Sequence, residues 1–209
     1  NMDNIDENHR RTVSYYMLLR LKGYLRKRGV PEGLYKPLIE ANELRIDDEI
    51  RYPIQTHEKI LQRAAQFLKD DLFGLKSGTY FRAPKFGLYH FLLSVSGTLR
   101  QDLLLSVRYF PLDTQAWRAR LVEGPDVSQL IFMPSVSISG RHQLECSISQ
   151  GVLRLYNTRP PFLKVSFCYD DRGKKAEYEK ILRCPVEFNA PVTSVSISTN
   201  HLNTTTGWD

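Results

Sequence analysis

The side chains able to do chemistry in this chain are few and scattered. Its five histidines are His9, His57, His90, His142 and His201. None stands in an HExxH or HxH arrangement, so the spacing that would close a zinc site is missing. No GxSxG elbow, P-loop or strand-linked GxGxxG occurs either. Cys146 and His142 lie one helical turn apart on an expected helix, close enough to touch. A working thiolate–imidazole pair needs a third, orienting group and an exposed site, whereas a cysteine on an apolar helix face normally packs. The acidic pairs Asp70-Asp71 and Asp170-Asp171 fall at expected element ends, where carboxylates cap and solvate. These observations predict no enzyme, no metal and no cofactor.

Binding is better served. Tyr80, Phe81, Phe86, Tyr89 and Phe91 crowd one stretch, and Trp117 and Phe132 follow. Arg82 and His90 are interleaved with them, the first able to grip a carboxylate with two parallel hydrogen bonds. A concave, largely apolar site with a few polar groups is the usual form of a small-molecule pocket. The expected ligand-binding set is Arg82, Tyr89, His90, Trp117 and Phe132, and the expected ligand has an apolar body with an acidic or polar head. The same residues also read as ordinary packing, with Tyr89 and Phe91 in the core, Arg82 on the surface beside Pro84, and His90 satisfied on a helix.

Size and composition bound these readings. A chain of 209 residues, 42% hydrophobic and 25% charged, holds one sizeable core or two small ones. No apolar run reaches the roughly 18 residues of a membrane span. The start, NMDNIDENHRR, lacks a signal-peptide core, and Asn1 before Met2 has the look of a tag remnant. Three unclustered cysteines fit reduced thiols in a cytoplasmic protein. The formal charge is +6, and seven basic residues lie between Arg10 and Arg28 with no acid among them. They read either as a nucleic-acid patch or as a solvated helix face. The second is favoured, because no aromatic-glycine or zinc-ligand motif accompanies them.

Helical periodicity over 13–27, with Gly29 and Pro31 as the stop, opens the positioning framework. A short helix over 33–41 broken by Pro37 follows, then a third capped by Thr56 with Ile60, Leu61, Ala64, Ala65 and Leu68 inward. Phe73-Gly74-Leu75 and Ser77-Gly78 form a helix whose glycines admit a neighbouring backbone. Gly97-Thr98-Leu99 starts another that ends at Arg108-Tyr109-Phe110. The first half therefore reads as essentially all helical. After Pro111, 117–122 and 129–133 form a hairpin, and Ser139 starts a helix to Arg159 with Leu144, Ile148, Val152 and Leu155 inward. A strand over 162–168 with Leu163, Val165 and Phe167 on one face, a helix ending near Leu182, and strands at 185–188 and 194–197 complete the chain. The fold class expected is α+β, a helical N-terminal half packed with a small, mostly antiparallel sheet and further helices in a single domain.

The order of these motifs resembles the N-terminal regulatory domain of one large subgroup of AraC/XylS-type bacterial transcription regulators. There a "GL+-G" helix, a "G-xx-Y" helix and a "TL...RY-xx-L" helix succeed one another as Gly74–Gly78, Gly87–His90 and Thr98–Leu112 do here. Phe162–Phe167, Tyr178 and Ile181–Phe188 resemble the subgroup's "V-x-F... Y... LF-x-C-PV-x-F" signature. The resemblance spans residues 12–203, between a disordered tail over 1–11 and the start of a linker over 204–209. Two positions depart: Asn189 stands where glycine is usual, and Thr193 where asparagine is frequent. The resemblance implies a cytoplasmic sensor that binds a small organic effector, forms a homodimer, and acts on promoter DNA through a C-terminal helix-turn-helix domain outside this chain. A stand-alone small-molecule or lipid-binding module without a DNA partner is the alternative. The helix at 13–28 is one candidate dimer surface.

Overall fold

A computed structural model of the chain describes residues 11–80, 95–135, 140–155 and 162–205. The expected α+β class is what it has, mixing helices with a three-stranded and a five-stranded sheet. The chain divides into two packing units, one of residues 1–82, 111–117 and 134–150, the other of 83–110, 118–133 and 151–209.

In the first unit, β1 (Thr12–Ser14) runs directly into α1 (Tyr15–Lys27). The Ser14 hydroxyl accepts the Met17 N–H at 3.2 Å, which satisfies one of the donors a helix start leaves open. Met17, Leu18, Leu21, Tyr24 and Leu25 are buried, and Arg26 and Lys27 complement the dipole at the far end. A 3₁₀ turn (Glu32–Leu34) and α2 (Lys36–Glu40) follow. Pro37 sits in the first turn of α2 rather than breaking it, because that turn's N–H groups need no intrahelical partner.

The first half is not all helical. β2 (Leu44–Ile46) and β3 (Glu49–Pro53) form a hairpin, and β3 pairs antiparallel with β1 as well. Asp47 and Asp48 both have positive φ, 48° and 64°, as a two-residue turn matched to strand twist requires. Strands this short, with β2 exposed throughout, carry too little alternation to be read from sequence.

The next helix, α3 (Ile54–Leu68), begins two residues before Thr56. Pro53 occupies the N-cap, and Thr56 is buried in the first turn instead of capping it. Phe73–Tyr80 forms α4, and α6 (His142–Leu155) brings its first half to the same unit. A Cβ on Gly74 would lie 2.3 Å from the His142 carbonyl oxygen, and one on Gly78 2.3 Å from that of Cys146. The two helices thus approach backbone to backbone, the close approach anticipated for these glycines.

The second unit holds a sheet of order β4-β5-β8-β6-β7, from β4 (Trp117–Val122), β5 (Val127–Pro134), β6 (Phe162–Ser166), β7 (Val186–Glu187) and β8 (Thr193–Ser198). β8 pairs antiparallel with β5 and β6, whereas β6 and β7 are parallel. A parallel pair needs a crossover, and α7 (Lys175–Leu182) supplies it. Tyr178 and Leu182 of α7 are buried. The Phe167, Tyr178 and Phe188 rings meet with centroids 5.0–5.5 Å apart. Leu163 is exposed, contrary to the alternation expected, because the register with β8 shifts between Phe162 and Lys164. A bulge turns one side chain out of the pattern. Asn189 has φ 55°, the left-handed region where asparagine is the best substitute for glycine.

The helix α5 (Leu99–Asp113) runs through Pro111 beyond its expected end, and its last residues belong to the first unit. Among the described residues no helix is long and apolar enough to cross a membrane.

Candidate functional site

Of the five residues expected to bind ligand, Arg82, Tyr89 and His90 lie outside the described residues, as do Phe81, Phe86 and Phe91. Trp117 opens β4 and is only 7% exposed. Its indole N–H is buried and meets no acceptor among the described residues. A buried indole normally finds a partner, so this donor is available to a bound oxygen. Phe132 lies on β5, half-buried in the second unit. Tyr80 packs on Tyr24 with ring centroids 5.5 Å apart, and Lys27 sits over its ring.

The first unit holds two polar centres that the sequence reading missed. In one, Glu58 of α3 is 1% exposed and reaches the start of α6, where its carboxylate accepts the Gln143 N–H at 3.0 Å and the Gln62 amide at 3.2 Å. Burial raises the Glu58 pKa, and the Gln143 N–H opposes that rise. A carboxylate at a helix start is favourable because the amides there are unpaired and positive. Gly140 leaves it room, since a Cβ there would lie 2.0 Å from Glu58 Oε1. Beside it the Gln143 amide donates to His57 Nδ1 at 2.6 Å. Burial drives the His57 pKa down to about 4, so the ring is neutral near pH 7.

The other centre secures the end of α5. Asp113 accepts from Ser14 at 3.0 Å and pairs with Arg20 at 2.5 Å. Buried Arg51 donates to the Leu112 and Pro111 carbonyls at 3.1 and 3.3 Å and to Thr12 Oγ1 at 2.7 Å. An arginine fork suits these last carbonyls, which lack intrahelical donors.

Much of the basic cluster is occupied internally. Arg20 binds Asp113, Arg26 binds Glu32 at 2.9 Å, and Arg28 binds Asp70 at 3.1 Å. Three of the seven basic residues between Arg10 and Arg28 are thus held by acids of the fold. Lys76 also reaches Asp70 at 2.8 Å, and Asp70 accepts the Leu72 N–H ahead of α4. The anticipated touch between Cys146 and His142 forms no reactive pair among the described contacts. Cys146 is fully buried and its thiol is pushed up to about 11. No cluster of three potential metal ligands occurs among the described residues.

A surface notch of about 290 Å³ opens in the first unit, lined by Lys22 and Arg26 of α1, by Glu32, and by Tyr35, Lys36, Ile39 and Glu40 around α2. Tyr35 and Ile39 are buried and form its floor.

Comparison with known proteins places this architecture. Residues 39–206 match the family model described as the arabinose-binding domain of AraC transcription regulators, N-terminal. No curated protein matches the chain. Among solved structures, it is similar to the transcriptional regulator CdpR from Pseudomonas aeruginosa, with TM-score 0.64 and 17% identity over 90% of this chain. The chain spans 56% of that regulator's length.

Proposed function

Because the chain belongs to the arabinose-binding, N-terminal domain family of AraC transcription regulators, we propose that it is a cytoplasmic effector-sensing and dimerisation domain. The family match over residues 39–206 carries this reading. A small organic effector, apolar in body with an acidic or polar head, binds at Arg82, Tyr89, His90, Trp117 and Phe132. The Trp117 indole N–H, buried without an acceptor among the described residues, supports that placement. Binding favours one conformation over another by the difference in its affinity for the two, and that difference shifts the population. The shift alters dimer geometry or releases a helix-turn-helix domain elsewhere in the protein, which then engages promoter DNA.

A thermal-shift screen against small acids, amino acids, fatty acids and hydrocarbons tests this. An effector that binds only the native form must raise the melting temperature. With the effector in hand, Arg82→Ala and Trp117→Phe each weaken binding about tenfold, the loss of one hydrogen bond to a charged or buried group. Unchanged binding in both variants would remove this placement. A full-length product that senses the effector yet binds no promoter DNA would instead make this a stand-alone binding module.

A further inference from the structure

We infer that the outer edge of β4 is a docking edge for an extended acidic segment of a partner protein, which joins the five-stranded sheet as a further strand beside Arg118 and Arg120. In the order β4-β5-β8-β6-β7, β4 is an end strand, and among the described residues no strand lies beyond it. The other end, β7, is two residues long, whereas β4 has six. The Ser135 N–H donates to the Ala116 carbonyl at 2.8 Å, so the Ala116 carbonyl faces the β5 side. Backbone groups of an antiparallel strand point to alternate sides at successive residues. Arg118, Arg120 and Val122 therefore turn theirs towards β5, and Ala119 and Leu121 present their N–H and C=O groups to the open edge. Such a row of backbone groups is what an added strand binds.

The side chains select what that strand carries. Arg118, Arg120 and Val122 share one face of β4 and are exposed, while Ala119 and Leu121 on the other face are half-buried. Neither arginine enters an ion pair among the described residues, and the nearest acid along the chain, Glu123, is already held by Arg100 at 3.0 Å. Acidic side chains at alternate positions of a guest strand stand directly opposite the two guanidinium groups, with an aliphatic one opposite Val122. Opposite charges and aliphatic pairs placed this way stabilise a strand pair, and like charges destabilise it. The same rule disfavours a second copy of this chain as the guest. An antiparallel pairing of two β4 strands about a twofold axis overlaps more than three residues only with Arg120 opposite Arg120 or Arg118 opposite Arg120. A nucleic acid would meet the guanidinium groups but has no ladder to offer Ala119 and Leu121, so the open backbone favours a peptide.

The test is fluorescence anisotropy of a labelled, end-blocked hexapeptide, Val-Ile-Glu-Val-Glu-Thr, titrated with the whole chain. Its glutamates fall opposite Arg120 and Arg118 in the antiparallel register. The peptide should bind, and its counterpart with lysine for glutamate should bind at least tenfold more weakly. N-methylation of the isoleucine and the second valine removes the two N–H groups that face Leu121 and Ala119. It should weaken binding about tenfold or more, as loss of two hydrogen bonds does. Arg118→Glu combined with Arg120→Glu should also weaken the peptide at least tenfold. Lys175→Glu combined with Lys180→Glu makes the same charge change at exposed positions of α7 and should leave affinity within twofold. The inference is overturned if the peptide fails to bind at millimolar concentration, if the two double variants weaken it equally, or if N-methylation leaves binding unchanged. A DNA duplex that needs Arg118 and Arg120, with no binding of the peptide, would assign the arginines to phosphate and overturn it as well. Melting curves establish that the variants are folded. Should the arginine variant fail to fold, the lysine and N-methylated peptides, both measured on the parent protein, decide alone.

Discussion

Replacing Gly74 by alanine isolates the contact on which the packing of α4 against α6 depends. The added methyl would lie 2.3 Å from the His142 carbonyl oxygen, 2.5 Å from its Cα and 2.7 Å from its carbonyl carbon. Ordinary contact begins at 3.4 Å, so α6 must retreat by about 1 Å. All three neighbours are backbone atoms, and no rotamer change relieves them. Overpacking a tight interior costs about 1–3 kcal/mol, and a rigid backbone neighbour places this site at the top of that range. Alanine returns about 1 kcal/mol of helix propensity, for a net loss of about 2 kcal/mol. Gly151 on α6 is the control, since a Cβ there meets nothing within 4 Å. Gly151→Ala should therefore be neutral or stabilising by up to about 1 kcal/mol. Urea unfolding of the three proteins reads the difference in midpoint at constant slope. A Gly74→Ala protein as stable as the parent would refute the close approach of the two helices.

Asn189→Gly should hold or raise stability while Asn189→Ala lowers it by about 1 kcal/mol, because φ there is 55°; thermal melts of both variants check the order. His57 titrates near 4 in the folded chain against 6.5 when exposed, so the unfolded chain binds the extra proton first and stability falls as pH drops from about 6.5 towards 4. Glu58, with its raised pKa, contributes with the opposite sign. The pH dependence of the parent should therefore be compared with that of His57→Gln, whose loss over this window should be smaller by up to about 3 kcal/mol; parallel curves would mean that His57 is not buried neutral. Cys168 is exposed whereas Cys146 and Cys184 are buried, so a chromogenic disulfide should label one thiol in the native protein and three after denaturation. Rapid native labelling of Cys146 would contradict its burial.

Long-period patterns survived the passage from sequence to structure. The buried stripes of α1 and α3, the strands after Pro111 and the crossover helix ending at Leu182 all carry enough apolar repeats to declare themselves. Gly74 and Gly78 announced a close helix contact, because a missing side chain one turn apart has few other uses. Short elements stayed hidden. The β1-β3-β2 sheet rests on strands of three and five residues, and the Leu163 reversal comes from a register shift that no local pattern records.

The polar centres were legible only in their ingredients. Glu58 and Arg51 look like surface residues in a linear reading, since the local contacts of each, Gln62 and Glu49, are only part of what holds it inside the fold. Their distant partners stand 85 and 61 residues away, at Gln143 and Leu112. Local periodicity dictates which face of an element is apolar, because that face is written in consecutive residues. Which charges find partners, and which buried donor is left open, depends on chain segments that meet only once the core has closed.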